Sequence, residues 1–347
     1  MREQTVAMYC FLDDLLTRTR PVWARPADPR RRLSDAEVLT TALVAARYFG
    51  GNLVLGRHYM QQHWGMKWLD KSGFTRHLHR LSDTLLGLFT TLLSALRTAV
   101  LPQRPDPAPA APPFYTVAFF EAYFSNFIEG TDFQVDEARR MVETGQLVGG
   151  RHADSHDVLS TYRLCSNVAE MRVVPQSAED LLAILQRRHT QLLHARPDKR
   201  PGQWKEHANQ AGLTSFVEPG LMRGTLHEGF KLYRSLSEPL ARALFMVFMV
   251  SEVHPFDDGN GRLARLMMNA ELVSASQCRI IVTTHAREGY LDALRRLSRQ
   301  GEPGRYLRML SGTQQFVAEL QPTSYESVKG QLEKQGAFTE ISSQLRW

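Results

Sequence analysis

Residues 254–265 read HPFDDGNGRLAR. His254 carries an imidazole that titrates near neutrality, so it can take a proton from an attacking hydroxyl. Asp258 offers a hard oxygen ligand, suited to an Mg2+ ion carried in on a polyphosphate. Gly259 and Gly261 flank Asn260 and let the backbone come close to a ligand. Consecutive N–H groups there, at the start of the next helix, form an anion nest at the positive end of a dipole. Arg262 and Arg265 are three residues apart, on one side of that helix's first turn, where both can reach phosphate oxygens. A base, a metal ligand, a nest and two cations together describe attack on a nucleotide phosphate. Positioning and charge neutralisation would supply most of that catalysis. Phe256 reads as an apolar plug pinning the loop to the core, and Asp257 as a solvated carboxylate.

Two helices must hold this turn. The run LARALFMVFMV at 240–250 reads as a buried core helix, with Ser237 as its cap and Pro239 in its first turn. It contains Arg242 and is too short to span a bilayer, so no membrane is expected. The second helix is expected from about Gly261 to Val273. Further upstream, Ser177 should cap AEDLLAILQRRH, with acidic residues in the first turn and basic ones in the last. A short helix is expected from Asp136 to Glu143, stopping at Gly145. Residues 202–225, rich in Gly, Asn and Pro with a brief β-prone TSFV, read as a loop bearing a small hairpin.

The stretch matches H-x-F-x-[DE]-G-N-G-R-x-x-R and so resembles the Fic (filamentation induced by cAMP) family, whose members transfer AMP from ATP to hydroxyl side chains of proteins. The resemblance spans about 114–312. It implies an all-α, Fic-type helical bundle with a small β-hairpin flap, ATP as co-substrate and Mg2+ as cofactor. By position, His254 would be the general base and Asp258 the magnesium ligand. Asn260 would contact the α-phosphate, with backbone donors from Gly259 and Gly261. Arg262 would hold the β-phosphate and Arg265 the γ-phosphate. Residues 213–225 resemble the family's flap, against which a target segment lines up as an added strand, with Thr214, Ser215, Phe216 and Val217 as its edge. The partner would be a protein bearing a Tyr, Thr or Ser hydroxyl, or the chain itself; homodimerisation is left open.

SNFIEG at 125–130 is similar to the [ST]-x-x-x-E-[GN] pattern of the family's self-inhibited members. Ser125 and Glu129, four apart, share a helix face, and Gly130 can end the helix. On an inhibitory helix near 118–130, the Glu129 carboxylate would form a bidentate pair with Arg265 and occupy the cation meant for the γ-phosphate. Such a pair is worth roughly 1–3 kcal/mol, a ten- to hundredfold shift in occupancy.

The N-terminal third differs in character. Residues 1–113 carry 15 Lys and Arg against 9 Asp and Glu, whereas 114–347 carry 27 of each, so the whole net charge of +6 lies in the first part. A basic segment can contact nucleic acid. It also reads as helical, with an S-x-x-E capping box at Ser34 and Glu37. YCFLDDLL, LSDAEVLTTALVAARYFGGN and KSGFTRHLHRL resemble the N-terminal region of insertion-sequence transposases, without the acidic catalytic region of such enzymes. PQRPDPAPAAPPF, with six prolines in thirteen residues, reads as a semi-rigid linker. The expected order is a separate helical segment at 1–101, a linker at 102–113, a Fic domain at 114–312 and a helical extension at 313–347. Three widely spaced cysteines, Cys10, Cys165 and Cys278, fit a reducing cytosol and argue against a disulfide framework, which gives a cytoplasmic expectation. Two other readings stand beside AMP transfer: a Fic-fold transferase of another phosphate-containing group, such as UMP or phosphocholine, and a DNA-binding, transposon-derived regulator.

Overall fold

The computed structural model describes residues 2–19, 33–49, 52–67, 87–211 and 214–340. The chain divides into two compact units, one of residues 1–87 with 299–301 and one of the remainder. In the first, α1 (Arg2–Thr19), α2 (Asp35–Tyr48) and α3 (Leu53–Trp64) follow one another. The capping box opens α2 as expected, with Ser34 Oγ accepting from Glu37 N and the Glu37 carboxylate accepting from Ser34 N. Leu33, Val38, Val44, Met60 and Met66 form a small core. The arginines at 20, 25 and 30–32 and the stretch KSGFTRHLHRL lie outside the described residues.

The second unit is built of α4 (87–98), α5 (Pro113–Ile128), α6 (Val135–Thr144), α7 (His152–Ser166), α8 (Val168–Met171), α9 (Ala178–Leu192), α10 (Pro219–Tyr233), α11 (Pro239–Val253), α12 (Asn260–Ser274), α13 (Arg287–Gln300), α14 (Pro303–Ala318) and α15 (Tyr325–Lys334). Among the described residues the fold is all-α apart from a hairpin of two-residue strands, β1 (Gln210–Ala211) and β2 (Thr214–Ser215). Its centre is α11, whose residues 243–250 are all fully buried; a helix apolar all round must sit in a core. No single helix among the described residues is long and apolar enough to cross a membrane.

Four boundaries differ from the expected ones. Residues 88–98 cluster with the second unit, and the proline run lies on that unit rather than spanning open solvent. Ala108 is buried, Pro105 bridges Gln277, and Arg104 Nη1 donates to Gln314 Oε1 at 3.1 Å. The expected start of the helical extension at 313 falls inside α14, and Val317, Leu320, Val328 and Leu332 join the core around α5. The α11 cap is Glu238 without a side-chain hydrogen bond, not Ser237, because Pro239 at the first helical position already removes one orphan donor. Ser177 caps α9 as read, accepting from Asp180 N.

Helix α5 is set rigidly into this unit. The Glu121 carboxylate pairs with Arg279, both nearly fully buried, and Arg279 also donates to the Cys165 carbonyl at 3.1 Å and lies over the Phe114 ring. Removing one partner of such a pair strands a buried charge. Glu121→Ala is expected to lower the unfolding free energy by about 3–5 kcal/mol, read from denaturant midpoints. A change below about 0.5 kcal/mol, the size of an ordinary surface substitution, would show that the pair carries no such role.

Candidate active site

Glu121, Ser125 and Glu129 lie four apart and share one face of α5, which leads from the Arg279 anchor to the N-terminus of α12. Helix α12 begins at Asn260, with Gly259 before it at φ 71°, a conformation that glycine adopts without strain. The first N–H groups of this helix have no intrahelical acceptor and point toward the loop mouth. Arg265 is almost buried. Its Nε donates to Ser125 Oγ at 3.0 Å, and its Nη2 donates to the Ser125 carbonyl at 2.8 Å and to Glu129 Oε1 at 2.7 Å. The expected fork-to-fork pair is thus a single contact, because Ser125 takes Nε and shares Nη2 with Glu129. The same carboxylate covers Gly261: a Cβ there would lie 2.2 Å from Glu129 Oε1. Glu129 therefore sits against both a cation and the nest. Gly130 follows at φ 90°, ending the helix as expected.

Arg262 is held from another side. Its Nη1 meets Asp157 Oδ2 at 2.9 Å and donates to Asn126 Oδ1 at 3.3 Å, while its buried Nε has no partner among the described residues. Asp157 also accepts from Arg196. A buried guanidinium with an unused donor, next to a helix N-terminus, suits an incoming anion.

His254 ends α11 in the left-handed region, at φ 50°. Its Nδ1 lies 3.2 Å from the Ser251 carbonyl, which as an acceptor requires the proton on Nδ1 and leaves the Nε2 lone pair on the other edge of the ring. The ring stacks on Phe216, with centroids 3.7 Å apart. Burial pushes its pKa down to about 4, with Lys205 adding to the effect. The imidazole is therefore neutral at pH 7, as a proton acceptor must be.

Within the loop, Phe256 is the plug that was expected. It is fully buried, stacked between His189 at 3.8 Å and Trp204 at 4.9 Å between centroids. His189 accepts from Gly202 N at Nδ1 and so donates from Nε2 to the Asp258 carbonyl at 3.0 Å. Asp257 is exposed and pairs with Arg200 at 3.1 Å. Asp258 turns one oxygen onto Gly259 N, while the other lies 4.0 Å from Lys199 Nζ at the open side of the loop. One carboxylate that also faces a phosphate nest fits Mg2+, which favours one or two carboxylates plus phosphate oxygens over a cage made only of protein ligands. The Asn260 carboxamide is committed to the loop, donating to the Phe256 carbonyl at 2.8 Å and accepting from Phe256 N at 2.9 Å. A side-chain contact to the α-phosphate would require giving up one of these bonds; its backbone N–H is available in the nest.

The flap is shorter than its sequence suggested. Thr214 and Ser215 form β2, whereas Val217 is buried and Phe216 covers His254. Pro219 starts α10 two residues beyond Val217, which leaves the strand no room to continue. Residues that the sequence did not single out are Asn126, Asp157, His189, Lys205 and Asn209. Each acts through one or two contacts to distant backbone or arginine atoms, which leave no pattern in the sequence.

Two neutral histidines, His189 buried and His254 half-buried beneath Phe216, have a consequence for stability. A free histidine titrates near 6.5, and burial holds both His189 and His254 down at about 4. Between these values the unfolded chain binds protons that the folded chain refuses. Stability present above about pH 6.5 is therefore lost as the pH falls toward 4, by as much as about 3 kcal/mol per ring. Urea midpoints measured from pH 7 to 4.5 are expected to fall, and less steeply in His189→Asn. A flat profile would contradict the burial of these rings as neutral groups.

Comparisons with known proteins agree with this geometry. Residues 177–272 match the Fic/DOC family. Protein adenylyltransferase Fic of Drosophila virilis is 26% identical over 211 residues, which is 58% of this chain and 43% of that protein. The Drosophila willistoni protein of the same name is also 26% identical, with 42% of its length matched. This chain thus spans less than half the length of those curated relatives. A solved Fic domain-containing signalling protein from Bacteroides thetaiotaomicron superposes with a TM-score of 0.52 at 16% identity, over 70% of this chain and 96% of that one, which shows a shared fold. The likeness to the Fic/DOC family thus runs through residues 177–272, which contain the whole loop from His254 to Arg265.

Proposed function

We propose that this chain is a Fic-type transferase that moves AMP from ATP to a hydroxyl side chain of a protein, and that Glu129 restrains it. The observation that carries the reading is the place of the Glu129 carboxylate, 2.7 Å from Arg265 and against Gly261. An acidic group fills the spot where a helix N-terminus and a buried arginine would receive phosphate.

In the reaction, the nest of α12 and Arg262 orient the α- and β-phosphates, and Arg265 receives the γ-phosphate once Glu129 has left it. The target hydroxyl lies by the flap, its segment paired with the free edge of β2. Its oxygen forms a bond to the α-phosphorus as the bond to the bridging oxygen of pyrophosphate breaks, and its proton passes to His254 Nε2. Asp258 would hold Mg2+, which when bound neutralises charge on the phosphate oxygens. With Glu129 in place the γ-phosphate is displaced, so ATP binds with its α-phosphorus out of line with the hydroxyl.

The adenosine half of the donor is the part on which the loop is silent, since its donors all face phosphate. Incubation of the Glu129→Gly protein with Mg2+ and ATP, UTP or CDP-choline, followed by mass spectrometry of the modified protein, decides it. The expected adduct is AMP from ATP; a UMP or phosphocholine adduct formed in preference would replace the reading with another transfer on the same scaffold.

A further inference from the structure

A buried cation, Lys205, lies beside the proposed base and has no part in the phosphate nest. Lys205 is 3% exposed, yet it belongs to an irregular segment and makes no ion pair within salt-bridge distance among the described residues. Its Nζ donates to the Val253 carbonyl at 3.2 Å and to Asn209 Oδ1 at 2.8 Å, and its backbone N donates to the Pro255 carbonyl at 3.0 Å. Asn209 Nδ2, oriented by Lys205, donates to the Phe256 carbonyl at 2.8 Å and reaches the His254 carbonyl at 3.4 Å. Two residues of one turn thus take up four successive carbonyls, those of residues 253 to 256. These are the end of α11 and the entry to the loop, where carbonyls have no helical donor.

His254 in the middle of this run is a non-glycine residue in the left-handed region, a conformation that costs on the order of 1 kcal/mol or more and persists only where neighbours impose it. The same turn also leads into the flap. The Asn209 carbonyl accepts from Phe216 N at 3.2 Å, and Phe216 is the ring stacked on the imidazole. One short segment therefore fixes the backbone under the base, the aromatic lid over it, and the strand on which a target would dock.

We propose that Lys205 and Asn209 are positioning residues for the transfer: by holding the carbonyls of 253–256 they set the direction of the His254 ring and tie it to the flap that presents the hydroxyl. The inference rests on the proposed transfer reaction. Neither residue touches the nest, Arg262 or Arg265, so their loss should slow the chemical step and spare nucleotide binding. A misplacement of about 1 Å costs up to a hundredfold in rate.

The test uses the full chain carrying Glu129→Gly, with His254→Ala in that background as the reference for an absent base. Asn209→Leu and Lys205→Met are each expected to lower kcat for AMP transfer about ten- to a hundredfold while the KM for ATP moves less than about threefold. Lys205→Arg, which keeps a charged donor for the Val253 carbonyl, is expected to recover most of the lost rate. A side-chain 1H–15N spectrum, with His254 identified by its disappearance in His254→Ala, should show a single Nδ1-protonated tautomer in the parent and tautomer averaging in Asn209→Leu. Variants that fold and keep kcat within twofold, a rate loss matched by an equal rise in KM, failure of Lys205→Arg to recover, or an unchanged His254 signal would each overturn the proposal. The spectrum reads the ring whether or not AMP moves, so loss of this inference and loss of the transfer reading give different results.

Discussion

Replacing His254 with alanine in a Glu129→Gly background is expected to lower AMP transfer by about 10²- to 10⁴-fold, the range for loss of a general base. The ring has the attributes of a base and few of a structural group. It is neutral at pH 7 because burial holds its pKa at about 4, and its Nδ1–H is spent on the Ser251 carbonyl. ATP affinity should stay within about threefold, because no phosphate donor is lost and only a group that acts as charge moves in the transition state is removed. Titration of nucleotide by calorimetry beside a transfer assay separates the two quantities. Affinity falling in step with rate would make His254 a binding residue; a rate within a few-fold of the parent would remove it from the chemistry. The low pKa also fixes the sign of the pH dependence. Transfer should hold level from neutral pH downward and fall only as the pH approaches 4, where the imidazole takes its proton before the hydroxyl can give one.

Replacing Glu129 with glycine is expected to raise transfer by about ten- to thirtyfold, the lower part of the range for an ideal pair. The reduction follows from the geometry. One oxygen of Glu129 meets Arg265, and the Glu129 side chain is 32% exposed, so solvent screens part of the attraction. The rest of α5 should not need to move, because Glu121 anchors it through Arg279 and Ser125 stays bonded to Arg265. Release would then need only a rotation of one side chain at a helix end. Ser125→Ala should then raise transfer less than Glu129→Gly does, since it weakens the cradle around Arg265 without vacating the nest. Equal rates for wild type and Glu129→Gly, with both folded, would show that the contact does not restrain the enzyme.

Much of this site was legible because its chemistry is local in sequence. His254, Asp258, Gly259, Gly261, Arg262 and Arg265 lie in one turn and the first coils of one helix, so their spacing alone determines which of them can face one anion. Ser125 and Glu129 were legible for the same reason, through the i,i+4 rule. The supports were not. Lys205 and Asn209 meet the loop from about 50 residues away through carbonyl groups, which leave no side-chain signature, and His189 does so through the Asp258 carbonyl. Asn260 shows a second role that its place in the motif did not announce, for its carboxamide closes its own loop through the Phe256 backbone. The flap was overdrawn because β propensity in TSFV says nothing of Pro219, which ends the extended segment. The proline run was read as a spacer because composition describes stiffness, while the contacts of Arg104 and Ala108 with the second unit are tertiary.

The most direct test follows a label placed on either end of the triphosphate. Glu129→Gly protein is given Mg2+ and ATP labelled at the α-phosphorus or at the γ-phosphorus, alone and with candidate acceptor proteins, beside the same protein carrying His254→Ala. Covalent label from the α position only, lost with His254, is the predicted result. Label transferred from the γ position, or α-label that persists without His254, would contradict a loop that presents the α-phosphorus to a hydroxyl beside a histidine base.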